Sequence, residues 1–144
     1  MELTLQRSPD NAYLQNCTEI TTGIMTECVS IILLCNDNSA FGIHCGGGIT
    51  GGWDDKIIDL FRVTGKTCDK IIAVFGQTYQ FGKELVYLRD KINAVKKIGV
   101  ELHVRELKIY SSDNFTYNVI TGGIQGSVKK LFEKEDAWVQ LHIL

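Results

Sequence analysis

The order of apolar and polar positions divides this 144-residue chain into short elements of two kinds. Residues 28–35 form an almost unbroken apolar, β-branched run, the pattern of a strand covered on both faces. Asn36, Asp37, Asn38 and Ser39 follow as turn chemistry, because such side chains bond the local backbone and tolerate positive φ. Residues 40–45 then return as the antiparallel partner. Residues 20–25 and 70–75 read as two further strands, as do 101–110, 115–120 and 137–143. The alternation slips at Arg105-Glu106, which predicts a bulge or bend.

Helical periodicity appears twice. Trp53, Ile57, Leu60 and Phe61 make one stripe, with Asp54 and Asp55 in the first turn, where the positive end of the helix dipole favours acids. Leu85, Leu88, Ile92 and Val95 make the other, with Lys91, Lys96 and Lys97 expected on a solvated face. Gly99 suits the left-handed residue that ends this helix. No repeat or linker interrupts residues 1–144, so one domain is expected, with the polar stretch 1–12 loosely held. The fold class predicted is α+β, a layered α/β/β sandwich with mixed, mostly antiparallel strands.

Hydrophobic residues at 44% and charged residues at 22% predict a packed core. Fifteen basic against seventeen acidic side chains give a net charge of −2, which argues against a dedicated nucleic-acid binder. The longest apolar run falls well short of the ~20 residues that span a membrane. The opening MELTLQRSPDN has neither a basic start nor an apolar run. The five cysteines are therefore expected as reduced thiols in a soluble, cytoplasmic protein.

Cys28 and His44 are the pair with most chemical promise, near the same open end of the predicted hairpin. An imidazole beside a thiol stabilises the thiolate and can later protonate a leaving group. A turn centred on Asp37-Asn38 would set Ile31, not Cys28, opposite His44, so a bulge or bend at Thr26-Glu27 would have to close the distance. From composition alone the simpler reading is structural, with Cys28 a small core thiol and His44 a satisfied strand-end histidine. A metal site is disfavoured, because no Cys-x-x-Cys spacing occurs and His44 and Cys45 point to opposite faces of a strand. Gly65-Lys66-Thr67 ends like a phosphate-binding loop, but Leu60 stands where that loop needs its first glycine. His103, His142, Trp53 and Trp138 read as structural.

Thr22, then Cys28-Val29 at the head of an apolar strand, then His44, resembles the CheD family of receptor glutamine deamidases and the related catalytic domains of cytotoxic necrotizing factor and Burkholderia lethal factor toxins. The likeness extends over residues 20–128, through Lys70-Ile-Ile-Ala-Val-Phe-Gly76 and the NFTYNVITGGIQGSV segment. Thr26-Glu27 before the cysteine and Cys45 with three glycines after the histidine depart from the CheD pattern, so the resemblance covers chemoreceptor-type and toxin or effector-type enzymes alike. It implies a CheD-like fold and deamidation of glutamine in a protein substrate. In that role Cys28 is the nucleophile, His44 the acid and base, and Thr22 the residue orienting the ring. No cofactor, metal, nucleic acid or membrane insertion is implied. A toxin-type member would reach a host cell by a route independent of a signal peptide. A non-catalytic binding module on the same fold, and a thiol acyl hydrolase or transferase with another substrate, are the competing expectations.

Overall fold

The computed structural model describes residues 2–4, 8–16, 19–24, 29–37, 39–45, 53–76, 85–112, 114–126 and 128–135. In chain order the elements are β1 (Glu2–Thr4), β2 (Ser8–Asn16), β3 (Glu19–Ile24), β4 (Val29–Cys35), β5 (Ser39–Cys45), α1 (Trp53–Arg62), β6 (Cys68–Phe75), α2 (Leu85–Glu101), β7 (Glu106–Ser112), β8 (Asn114–Asn118), β9 (Ile124–Gln125) and β10 (Val128–Glu135). They form a six-stranded sheet, β10-β7-β6-β4-β5-β2, and a four-stranded sheet, β1-β3-β8-β9. Among the described residues every pairing is antiparallel except β1 with β3 and β6 with β7. The fold is α+β.

The two faces of the large sheet explain why β4 is apolar throughout. Ile31, Leu33, Ile71, Ala73, Leu107 and Ile109 pack with Ile57, Ile58 and Phe61 of α1 and Val95 and Ile98 of α2. The alternate residues Ile32, Leu34, Ile72, Val74 and Tyr110 pack with Ile20, Phe115 and Tyr117 of the second sheet. Helices therefore cover one face and strands the other, and all seven residues of β4 are buried. Each such isoleucine or leucine contributes roughly 1.5–3 kcal/mol by leaving water.

Three local expectations change. Helix α2 runs through Gly99 to Glu101, and the left-handed residue is His103, with φ 55°. His103 N–H donates to Val100 O at 3.2 Å and Val104 N–H to Gly99 O at 3.1 Å, which is a Schellman cap closed by the buried Val104. The slip at Arg105-Glu106 marks a bend, one of the two expected forms, but it joins this cap to β7 and does not lie within a strand over residues 101–110. Lys96, expected in solvent, is 5% exposed. Lys97 instead reaches Asp54 at 3.4 Å and Asp55 at 2.8 Å on α1, tying the two helices together.

Strands β1 and β2 are edge strands, one in each sheet. Edge pairing is made by backbone groups and needs no apolar pattern of its own. The strand expected over residues 137–143 lies outside the described residues, along with Trp138 and His142. The last described strand is β10, antiparallel to β7.

Candidate functional site

One end of the two sheets collects the chain segments that carry the candidate chemistry. Strand β4 begins there at Val29, paired with Cys45 on β5 and with Phe75 on β6. Strand β6 ends there, and its parallel neighbour β7 ends beside it, with Phe75 opposite Ser111. Residues 112 and 114 then turn from one sheet into the other, where Asn114 pairs with Ile24 at the end of β3. Ser112 Oγ donates to Asn114 O at 3.0 Å and accepts from Asn114 N–H at 3.2 Å, holding this corner.

His44 sits near the end of β5, with Ser30 and Ser8 as its Cα partners on either side. Thr22 falls where β3 changes register, because Thr21 pairs with Thr116 and Ile24 with Asn114. Three steps along β3 thus match two along β8, which is a bulge at residues 22–23. Bulges re-aim side chains and are over-represented beside active sites. Cys28 lies outside the described residues, immediately before Val29. The structure therefore brings the backbone positions of Thr22 and His44 to the end where β4 starts.

Buried hydroxyls mark the same end, and sequence reasoning missed them. Ser30 and Ser111 are both fully buried, and Ser111 Oγ donates to Gly76 O at 2.9 Å. A signal for Ser30 was present: it is the only polar residue in the apolar strand VSIILLC. A buried hydroxyl in such a strand is costly unless hydrogen-bonded, so its position carries information.

Two thiols lie away from this end. Cys35 and Cys68 are free and buried at the opposite end of β4. Burial pushes the Cys35 thiol up, while a hydrogen bond with Ser39 acts in the opposite direction. Burial also pushes Cys68 far up, with the neighbouring Cys35 adding to the effect. Burial thus favours the neutral thiol at both positions. Among the described residues no group of three or more His, Cys, Asp and Glu side chains could hold a metal ion. An open depression of about 200 Å³ lies on the second sheet among Glu19, Thr116, Asn118 and Gln125.

Comparison with models of known protein families and with curated proteins finds no match to this chain. Among the described residues no helix is long and apolar enough to cross a membrane.

Proposed function

We propose that the chain is a cysteine-dependent protein glutamine deamidase with a CheD-like layered α/β/β fold. The observation that carries this reading is the convergence of the β3 bulge at residues 22–23, the His44 end of β5 and the start of β4 at one end of the sheets. A nucleophile, a base and an orienting group are needed together, and the backbone ends of β3, β4 and β5 that meet there support this reading. The reading requires Cys28 to share the face of positions 30 and 44, which are Cα partners.

In the reaction, the Cys28 thiolate attacks the glutamine carboxamide carbon, and backbone N–H groups near Cys28 hold the oxyanion. The His44 imidazolium protonates the departing ammonia, leaving a thioester. Neutral His44 then takes a proton from water, which attacks the thioester and releases glutamate and the thiol. Thr22 orients the imidazole. The reaction so written requires no metal or organic cofactor. Its substrate is a cytoplasmic protein with an exposed glutamine, either a chemoreceptor-type target of the cell itself or a host target of an effector.

The test is substrate capture with Cys28→Ser, then incubation of the captured protein with the unaltered chain. Ammonia release and a Gln→Glu mass change at one or a few sites are expected. Capture with no mass change would favour a binding module on the same fold, and a different acyl product would favour another thiol hydrolase or transferase.

A further inference from the structure

We propose that Cys35 and Cys68 form a redox-active dithiol pair that closes to a disulfide between β4 and β6 on reaction with a low-molecular-weight disulfide. The two are Cα partners on adjacent antiparallel strands. Both belong to the core on the helix side of the sheet. Facing residues in such strands have Cα atoms about 4.5–5.5 Å apart, within the span a disulfide bridges.

A single extra residue creates this juxtaposition. From Val29 to Leu34 the register with β6 is regular, and continued by one step it would set Cys35 against Asp69. The ladder shifts instead, so that Leu34 pairs with Lys70 and Cys35 with Cys68. Asp69 is the bulged residue. It is fixed by Arg105, whose Nε donates to Oδ1 at 2.6 Å and Nη2 to Oδ2 at 3.0 Å, while Arg105 N–H donates to Asp69 O at 2.9 Å. Insertion of one residue reverses which face the following side chains take. The bulge thereby exchanges a carboxylate for a thiol opposite Cys35.

Cys35 is the thiol that attacks first. It is 7% exposed against 2% for Cys68, and the exposed turn Asn36-Asp37 adjoins it. Ser39 hydrogen-bonds to it, and Lys66 Nζ lies 3.1 Å from Ser39 Oγ. Burial and Asp37 raise the Cys35 thiol, whereas Ser39 and Lys66 lower it. Burial, Cys35 and Asp69 raise Cys68, whose Sγ also lies 3.4 Å from Lys70 O. The Cys35 thiolate displaces one thiolate from the small disulfide and forms a mixed disulfide. Cys68 then loses its proton and attacks Cys35 Sγ, expelling the second thiolate. Two protein thiols are oxidised, one disulfide is reduced to two thiols, and the two protons released pass to those thiols.

The probe is oxidised glutathione applied to the full chain, with peptide mapping by mass spectrometry and thermal melting before and after dithiothreitol. A Cys35–Cys68 link is expected, reversed by the reductant. Its rate rises about tenfold per pH unit on the neutral to mildly alkaline side, because the reactive thiolate is a minor species there. The oxidised chain melts several degrees higher, because the link closes the loop of residues 36–67 in the unfolded state. Cys68→Ser should stop at the mixed disulfide on Cys35, and Cys68→Ala provides the same arrest if the serine is not tolerated. The proposal is overturned if the link forms only in denaturant, if the mixed disulfide on Cys35 persists in the unaltered chain, or if the oxidised form melts lower.

Discussion

Ser30 and His44 are Cα partners across the β4–β5 hairpin, one step away from the pairing that a turn centred on Asp37-Asn38 would give. The step is set by Asp37, whose Oδ1 accepts from Ser39 N–H at 3.0 Å while Oδ2 accepts from Lys66 Nζ at 2.6 Å. These bonds start β5 at Ser39 and centre the turn on Asp37 itself. A slip of one residue would exchange the faces of the hairpin. The observed register instead gives the 30 and 44 positions the same face as Ile32 and Leu34, toward the second sheet.

If that end is the deamidase site, Cys28→Ala abolishes glutamine turnover, since it removes the atom that carries the acyl group. His44→Ala lowers kcat about 10²–10⁴-fold, the range for a positioned acid–base group. Thr22→Ala costs less than His44→Ala, and nearly nothing if only its main-chain carbonyl orients the ring. Ammonia release from the captured substrate measures all three.

Ile32 is fully buried between the two sheets, and Val63 is 87% exposed beyond α1. Ile32→Ala should cost about 2–5 kcal/mol through lost burial and the cavity left behind. Val63→Ala should stay within about ±0.5 kcal/mol. Urea unfolding of both variants makes the comparison.

His103 is exposed and holds φ 55° at the cap of α2. Glycine adopts that conformation without a Cβ penalty, so His103→Gly should stabilise the chain by roughly 1 kcal/mol. An upward shift in the denaturation midpoint with an unchanged slope is the expected reading.

Gly126 has φ 120°, and a Cβ there would overlap the carbonyl oxygen of Asn114. At Gly65, with φ 69°, a Cβ meets nothing within 4 Å. Gly65→Ala should therefore cost only the left-handed conformation, about 1–2 kcal/mol. Gly126→Ala should cost more, because strain and overlap act together at the corner where β8 begins. Thermal melting of the two alanine variants ranks them.

Lys66 and Ser39 hydrogen-bond to Asp37 and hold its carboxyl well below the ordinary 3.8. A lowered folded-state value contributes stability that is fully present above the unfolded pKa and fades as pH falls through the folded one. Lys66→Met should therefore destabilise the chain at pH 7, and the deficit should narrow steadily below pH 4. Denaturation midpoints taken across that interval measure it.

Much of the architecture was legible because burial leaves a signature in the residue pattern. The unbroken apolar run of β4 announced a strand covered on both faces, and the stripe of Ile57 and Phe61 announced a helix against it. Glycine misled at α2, because Gly99 is accommodated inside the helix and a histidine takes the left-handed position. Lys96 was misread because one charged residue among solvated neighbours carries no mark of burial. At the candidate site, the order Thr22, Cys28, His44 was visible, whereas the β3 bulge and the Ser30 partnership depend on strand register. Register is fixed by long-range pairing and by the turn bonds of Asp37, which a linear pattern does not display.

The first two strands lie one after the other in the chain but border different sheets, β1 flanking β3 and β2 flanking β5. Each occupies a rim that would otherwise present a row of unpaired N–H and C=O groups. The short leading segment thus covers β3 and β5 and becomes the outer strand of both sheets. A chain cut back to β3 would carry both of them open, one along the apolar β5, and such rims recruit strands from other molecules. With β2 in place, the six-stranded sheet ends on a strand that carries Pro9, which has no N–H to offer a further strand, rather than on β5.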